Sequence, residues 1–160
     1  MPITYMTFLI ATLAISGIPP FAGFFSKDAI LASLVEQGSL GWILWTAGIV
    51  GAFLTGLYTF RLLFIVFFGE QTPYAREHLH RERFEGPLAM MWPVGILAVL
   101  SLIAGFLQVP GQWALVDTWL EPVVESVEEA SGGLAVFSIL ASLAAATSGI
   151  AIAWALYRRP

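Results

Sequence analysis

The segment ILWTAGIVGAFLTGLYTFRLLFIVFF, residues 43–68, decides the fold, because its single charged residue is Arg61. At about 1.5 Å per helical residue, such a run outreaches the roughly 30 Å hydrocarbon core of a bilayer. Its apolar residues are continuous rather than alternating, which selects a helix over a barrel strand. Working outward, comparable runs occupy residues 89–107 and 134–157, and a fourth opens at residue 3 and continues, past a break, to residue 36. The sequence therefore predicts an all-α, polytopic transmembrane bundle of four spans, forming a single membrane unit over residues 1–160.

Composition agrees with lipid as the solvent. Hydrophobic residues make up 58% of the 160, charged residues 11%, and the mean hydropathy is +0.83. That is more apolar surface than one small water-soluble core hides. The net charge of −4 comes without a basic stripe, which excludes a nucleic-acid partner. With no cysteine, disulfides and thiolate ligands are excluded. His78 and His80 stand in a charged loop and read as solvated surface residues, so no metal site is expected. Met1 to Thr12 lacks a basic n-region and reads as a retained span, not a cleaved signal.

Loop charge sets the expected orientation. Arg76, Arg81 and Arg83 follow the second span, and Arg158 and Arg159 follow the fourth, so this side and both ends are expected in the cytoplasm. The opposite connection carries Asp117, Glu121, Glu125, Glu128 and Glu129 without Lys or Arg. Within it, residues 113–129 alternate apolar and acidic faces at helical spacing, as expected of an amphipathic segment on the outer surface with a solvated acidic stripe.

Gly17, Ile18, Pro19 and Pro20 interrupt the first span, since proline lacks a donor N–H and clashes with the preceding turn. Phe21 to Phe25 are apolar, then come Ser26, Lys27 and Asp28, then a second apolar run. Ser26 is expected to cap a second half-helix, with Asp28 in its first turn at the positive end of the dipole, a task that a neutral amide also performs. Two readings of Lys27 stand open. Embedded beside a discontinuous helix, it is desolvated, can release its proton and serves ion movement; snorkelled to the interface, it is an anchor. Lys27 and Asp28 point about 100° apart on a helix, so a partner of Lys27 is expected elsewhere. Arg61 divides likewise between an interfacial anchor and a buried partner of a carboxylate. In the second span Ala47, Gly51, Thr55 and Thr59 recur every fourth residue beside Gly48, Ala52 and Gly56, a surface that admits another helix, with Gly51 and Gly56 expected at the contact.

Two of these stretches, GIPPFAGFFSKDAIL at 17–31 and GAFLTGLYTFRLLFIVFFGE at 51–70, together with the histidine-bearing loop that follows, resemble the antiporter-like membrane subunit, subunit 5 or L, of proton-pumping NADH:quinone oxidoreductase, respiratory complex I. The resemblance implies a helix broken within the membrane and a proton path through Lys27, with Asp28 beside it and Arg61 in the next helix. It also implies a longer parent chain, of which this sequence is a piece from the C-terminal region. By the same resemblance the chain is a translocase subunit moving protons or sodium ions in a bacterial plasma membrane. NADH, flavin, iron–sulfur clusters and quinone are then held by partner subunits of the membrane arm and beyond, with none bound here. A multi-subunit cation/proton antiporter and a membrane-bound hydrogenase share the broken helix and lysine. A structural bundle without an ion path is the alternative from another class.

Overall fold

The computed structural model describes residues 1–70, 72–74, 87–109, 113–114, 119, 122 and 132–158. The arginine and histidine loop at 75–86 and nearly all of the acidic segment at 113–129 lie outside the described residues.

The first helix, α1 (Pro2–Ser16), starts with proline at its first position, where the missing N–H costs nothing. It ends at Gly17, and α2 (Ala22–Val35) follows. A tight corner over Glu36 and Gln37 leads into α3 (Gly38–Phe68), the longest helix at 31 residues, or about 46 Å. Gly38 takes φ 71° at this corner. Gly41 lies so close to the carbonyl of Leu34 that a Cβ would overlap it. The next helix, α4 (Leu88–Ile103), runs into a 3-10 turn at Ala104–Leu107, and α5 (Gly133–Tyr157) completes the bundle. Between these two helices Gln108–Val109 pairs antiparallel with Trp113–Ala114, a two-residue ladder too short to alter an all-helical fold.

Three elements are long and apolar enough to cross a bilayer: Gly38–Phe68, Leu88–Leu107 and Gly133–Tyr157. This is the expected character of an integral membrane protein, but the count differs from four. The apolar stretch at the start is divided between α1, of 15 residues, and α2, of 14, and neither alone matches the ruler of about 20 residues.

At the contact between α3 and α5 the bundle hides small side chains, and most large apolar ones of the described residues face outward. α3 packs most extensively against α5, and the contact is made by glycines from both sides. A Cβ on Gly56 would run into the carbonyl of Ala146, and one on Gly149 into the carbonyl of Phe53. Such approach of backbones is the packing available to helices that gain little from hiding apolar groups from lipid. Gly51 has open space around it, so the expected contact at Gly51 is not made among the described residues, while Gly48 touches Leu31 of α2. The row in use is thus Gly48, Ala52 and Gly56. At one end of the bundle Phe60, Leu63, Phe64 and Ala153 form a core, with Tyr5, Phe8, Leu9 and Leu13 of α1 packed against it. On α4, Ala98 alone is buried, and Trp92, Ile96, Leu97, Val99 and Leu100 face outward.

Candidate functional site: the α1–α2 break

Gly17 adopts the left-handed conformation, φ 70° and ψ 42°. Its N–H bonds to the carbonyl of Ala14 at 3.1 Å, and that of Ile18 to Leu13 at 3.2 Å. This Schellman-type closure satisfies two of the carbonyls that the last turn of a helix leaves unpaired. After Pro20, Phe21 is extended and begins α2 with no side-chain cap. Gly23 then sits against the carbonyl of Ala14, close enough to exclude any Cβ, so the start of α2 crosses the end of α1 backbone to backbone.

The expected cap is therefore misplaced by about one turn. Ser26 lies inside α2, where its hydroxyl donates back to the carbonyl of Ala22 at 3.4 Å. No acidic residue occupies the first turn of α2. Asp28 instead shares the buried face of that helix with Leu31, Ala32 and Val35, at the i, i+3, i+4, i+7 spacing of a core stripe. The physical reason is that α2 starts as soon as the chain clears Pro20, and a helix start does not require a polar cap.

Lys27 and Asp28 serve different neighbours, as their angular separation on the helix requires. The Nζ of Lys27 donates to the carbonyl of Ser16 at 3.2 Å, placing an ammonium at the negative end of α1. Its stem lies over Gly17, where a Cβ would collide with Nζ and Cε. Glycine is thus required there twice, for its backbone conformation and for the room it leaves. The Ser16 hydroxyl, 1% exposed, is 3.2 Å from the hydroxyl of Thr59 on α3. Thr59 spends its own proton on the carbonyl of Thr55 at 2.6 Å, so Ser16 is the donor between them. Lys27 therefore rests on a residue that α3 holds in place.

Asp28 is 5% exposed. Its Oδ1 accepts the hydroxyl of Ser142 on α5 at 2.5 Å, and its Oδ2 has no hydrogen-bond partner among the described residues. Buried polar groups as a rule find partners, and a carboxylate oxygen without one is a costly exception of the kind that marks functional sites. Arg61 is not brought into this group. It is exposed, with its guanidinium 5.1 Å from the centre of the Tyr157 ring. The break thus joins Lys27 and Asp28 with Ser16, Thr59 and Ser142; the sequence marks Thr59 as a packing residue and does not single out Ser16 or Ser142. Among the described residues no group of three or more His, Asp or Glu gathers as a metal site would need.

Residues 1–55, which contain the whole break, match the family described as NADH:quinone oxidoreductase/Mrp antiporter, TM. The NADH-quinone oxidoreductase subunit L of Mycobacterium tuberculosis (strain ATCC 25618 / H37Rv) is 41% identical over 161 residues, covering 98% of this chain and 24% of the relative. Subunit L of Escherichia coli (strain K12) is 35% identical over 155 residues, covering 96% of this chain and 23% of the relative. The chloroplastic NAD(P)H-quinone oxidoreductase subunit 5 of Chara vulgaris is 38% identical over 167 residues, covering 98% and 24%. The chain spans about a quarter of the length of these relatives, and it belongs to their family, the antiporter-like membrane subunits L and 5 of NADH-quinone oxidoreductases.

Proposed function

We propose that this chain forms part of a proton path in the membrane arm of a proton-pumping NADH:quinone oxidoreductase, with Lys27 and Asp28 as groups that take up and release the proton. The observation that carries this reading is the burial, beside an interrupted helix, of a carboxyl group with one unpartnered oxygen next to a lysine held on a helix end. In this reading α1 and α2 together make a fourth, discontinuous span, so that the break lies at membrane depth, where ionisable groups are rare and serve transport. Partner subunits of the arm and lipid cover the apolar exterior, and the redox cofactors sit in other subunits. The arginine distribution supports placing both ends of this stretch in the cytoplasm, and the bacterial relatives support a plasma membrane.

Chemically, Lys27, half-buried at the break, can hold its proton against the carbonyl of Ser16 or pass it to a neighbouring acceptor. Arg61, exposed on Tyr157, fits a place farther along such a path or at the interface. The description of the matching family names Mrp antiporters as well, so a cation/proton antiporter is the second reading, with the same two residues moving ions without redox coupling.

The test is substitution in the full subunit within its assembled complex. Lys27→Met and Lys27→Gln should sharply lower translocation and slow the coupled electron transfer while assembly persists. Lys27→Arg should impair both as well, since a guanidinium keeps its proton at every physiological pH. Wild-type translocation by assembled Lys27→Gln complexes would return Lys27 to the role of a snorkelled anchor.

A further inference from the structure

We infer that Ser142 is the positioning residue of Asp28, a buried hydroxyl that serves the carboxyl group in both of its protonation states by exchanging one acceptor for another. The inference deepens the proposed function, in which Asp28 carries a proton.

Ser142 is 0% exposed and stands between two acceptors. Its Oγ is 2.5 Å from Oδ1 of Asp28 and 3.1 Å from the carbonyl of Ile139, one turn back in α5. A serine has a single proton, so it satisfies one of the two at a time. When Asp28 is ionised, the hydroxyl donates to Oδ1, and the charge left on Oδ2, unpartnered among the described residues, makes this state expensive in a buried site. When a proton arrives on Oδ1, the direction of the bond reverses. The carboxyl O–H donates to Oγ, Ser142 turns its own hydrogen to the Ile139 carbonyl, and Oδ2 becomes a neutral carbonyl oxygen that tolerates isolation far better. One proton enters with Asp28, and Ser142 keeps its own. The two states thus differ by a hydroxyl rotation, with no movement of a helix.

Among the described residues no other ionisable group hydrogen-bonds to the Asp28 carboxyl. On α2 itself, Lys27 donates to Ser16 and acts on Asp28 through its charge, and Glu36 at the end of the helix is exposed. Among the described residues of the helices packed around α2, Tyr5 is engaged with Phe67 and Phe68, Tyr58 is exposed, and Arg61 and Tyr157 are engaged with each other. α4 carries no ionisable side chain. Ser138, one turn from Ser142 and equally buried, spends its hydroxyl as an acceptor from Trp45 Nε1 at 2.8 Å. It therefore serves as an internal control for loss of a buried hydroxyl from the same face of α5.

The experiment is infrared difference spectroscopy on the assembled complex across a pH series, with the carboxyl C=O band of Asp28 assigned by its loss in Asp28→Asn. Ser142→Ala should move that band to higher frequency, because the protonated carboxyl loses its acceptor. Ser138→Ala should leave it in place, and Ser142→Thr, which retains a hydroxyl, should restore it. Proton translocation in Ser142→Ala should fall about tenfold, the weight of one hydrogen bond to a charged group. An unmoved band in Ser142→Ala overturns the inference, and so does an equal shift in Ser138→Ala, or a wild-type complex in which Asp28→Asn removes no band. Should Ser142→Thr fail to assemble, the contrast between the two alanine variants decides alone. Intact translocation in Lys27 and Asp28 variants overturns the proposed function instead, and leaves the spectroscopic contrast at Asp28 as it was found.

Discussion

The hydroxyl of Ser142 on α5 meets the carboxyl group of Asp28 on α2 across 114 residues of sequence, and this is the sole hydrogen bond of that carboxyl group among the described residues. That bond changes what Asp28→Asn should do. A residue that only caps a helix start would lose little as an amide, but Asp28 sits on the buried face of α2. The amide oxygen of asparagine can still accept from Ser142, so assembly of the complex should stay near wild type. The ionisable proton is gone, so translocation should fall at least as far as in Lys27→Gln. Measuring assembled complex by native gel and translocation in vesicles separates the two effects. Full translocation in Asp28→Asn would leave Asp28 a structural acceptor.

A second expectation concerns the α3–α5 contact. Leucine at Gly56 must displace the backbone of Ala146, and leucine at Gly149 that of Phe53, so each should cost at least the roughly 1–3 kcal/mol typical of overpacking and reduce assembled complex. Leucine at Gly51 meets open space within the described residues and should assemble better than either. Equal loss at Gly51 and Gly56 would show that Gly51 contacts another helix in the complex.

These two sites also show what the sequence makes legible. The four-residue spacing of small residues in α3 is visible without a structure, but two adjacent rows satisfy it. Only the position of α5 selects the row that includes Gly56 over the one that includes Gly51. On α5 the buried face is Ser138, Ser142, Ala146, Gly149 and Ala153, a row that the sequence does not pick out from the other small residues of that helix. Departure from helical geometry after Ser16 follows from Gly17 and two prolines, since their effect is local. The start of α2 does not follow, because a polar cap is a preference that Phe21 does without. Ser142 as a partner of Asp28 is a property of helix packing, and nothing near either residue in the chain announces it.

This stretch has no cysteine of its own, so sidedness can be checked once any cysteines elsewhere in the full subunit are replaced. Single cysteines placed at Tyr74 and Ser131, in the full subunit on intact cells, should differ toward an impermeant maleimide. If the loop arginines face the cytoplasm as the positive-inside rule expects, position 74 should stay unlabelled and position 131 should react. Labelling at 74 with none at 131 would invert the bundle.

The last prediction couples Gly17 to Lys27. Gly17→Ala carries two penalties, about 1 kcal/mol for a Cβ in the left-handed region and a collision with the Lys27 side chain that lies over it. Lys27→Ala removes the second penalty and leaves the first, so the double variant should be less damaged than the sum of the singles. A double-mutant cycle on the thermal stability of the assembled complex measures the difference, expected within the 0.5–3 kcal/mol typical of residues in contact. Translocation should show the same coupling in another form. Gly17→Ala with Lys27 intact should lower translocation by pushing the ammonium off the carbonyl of Ser16, whereas in a Lys27→Ala background the same change should have no further effect. Strict additivity in stability, with translocation unaffected by Gly17→Ala alone, would mean that Lys27 does not work from its place over Gly17.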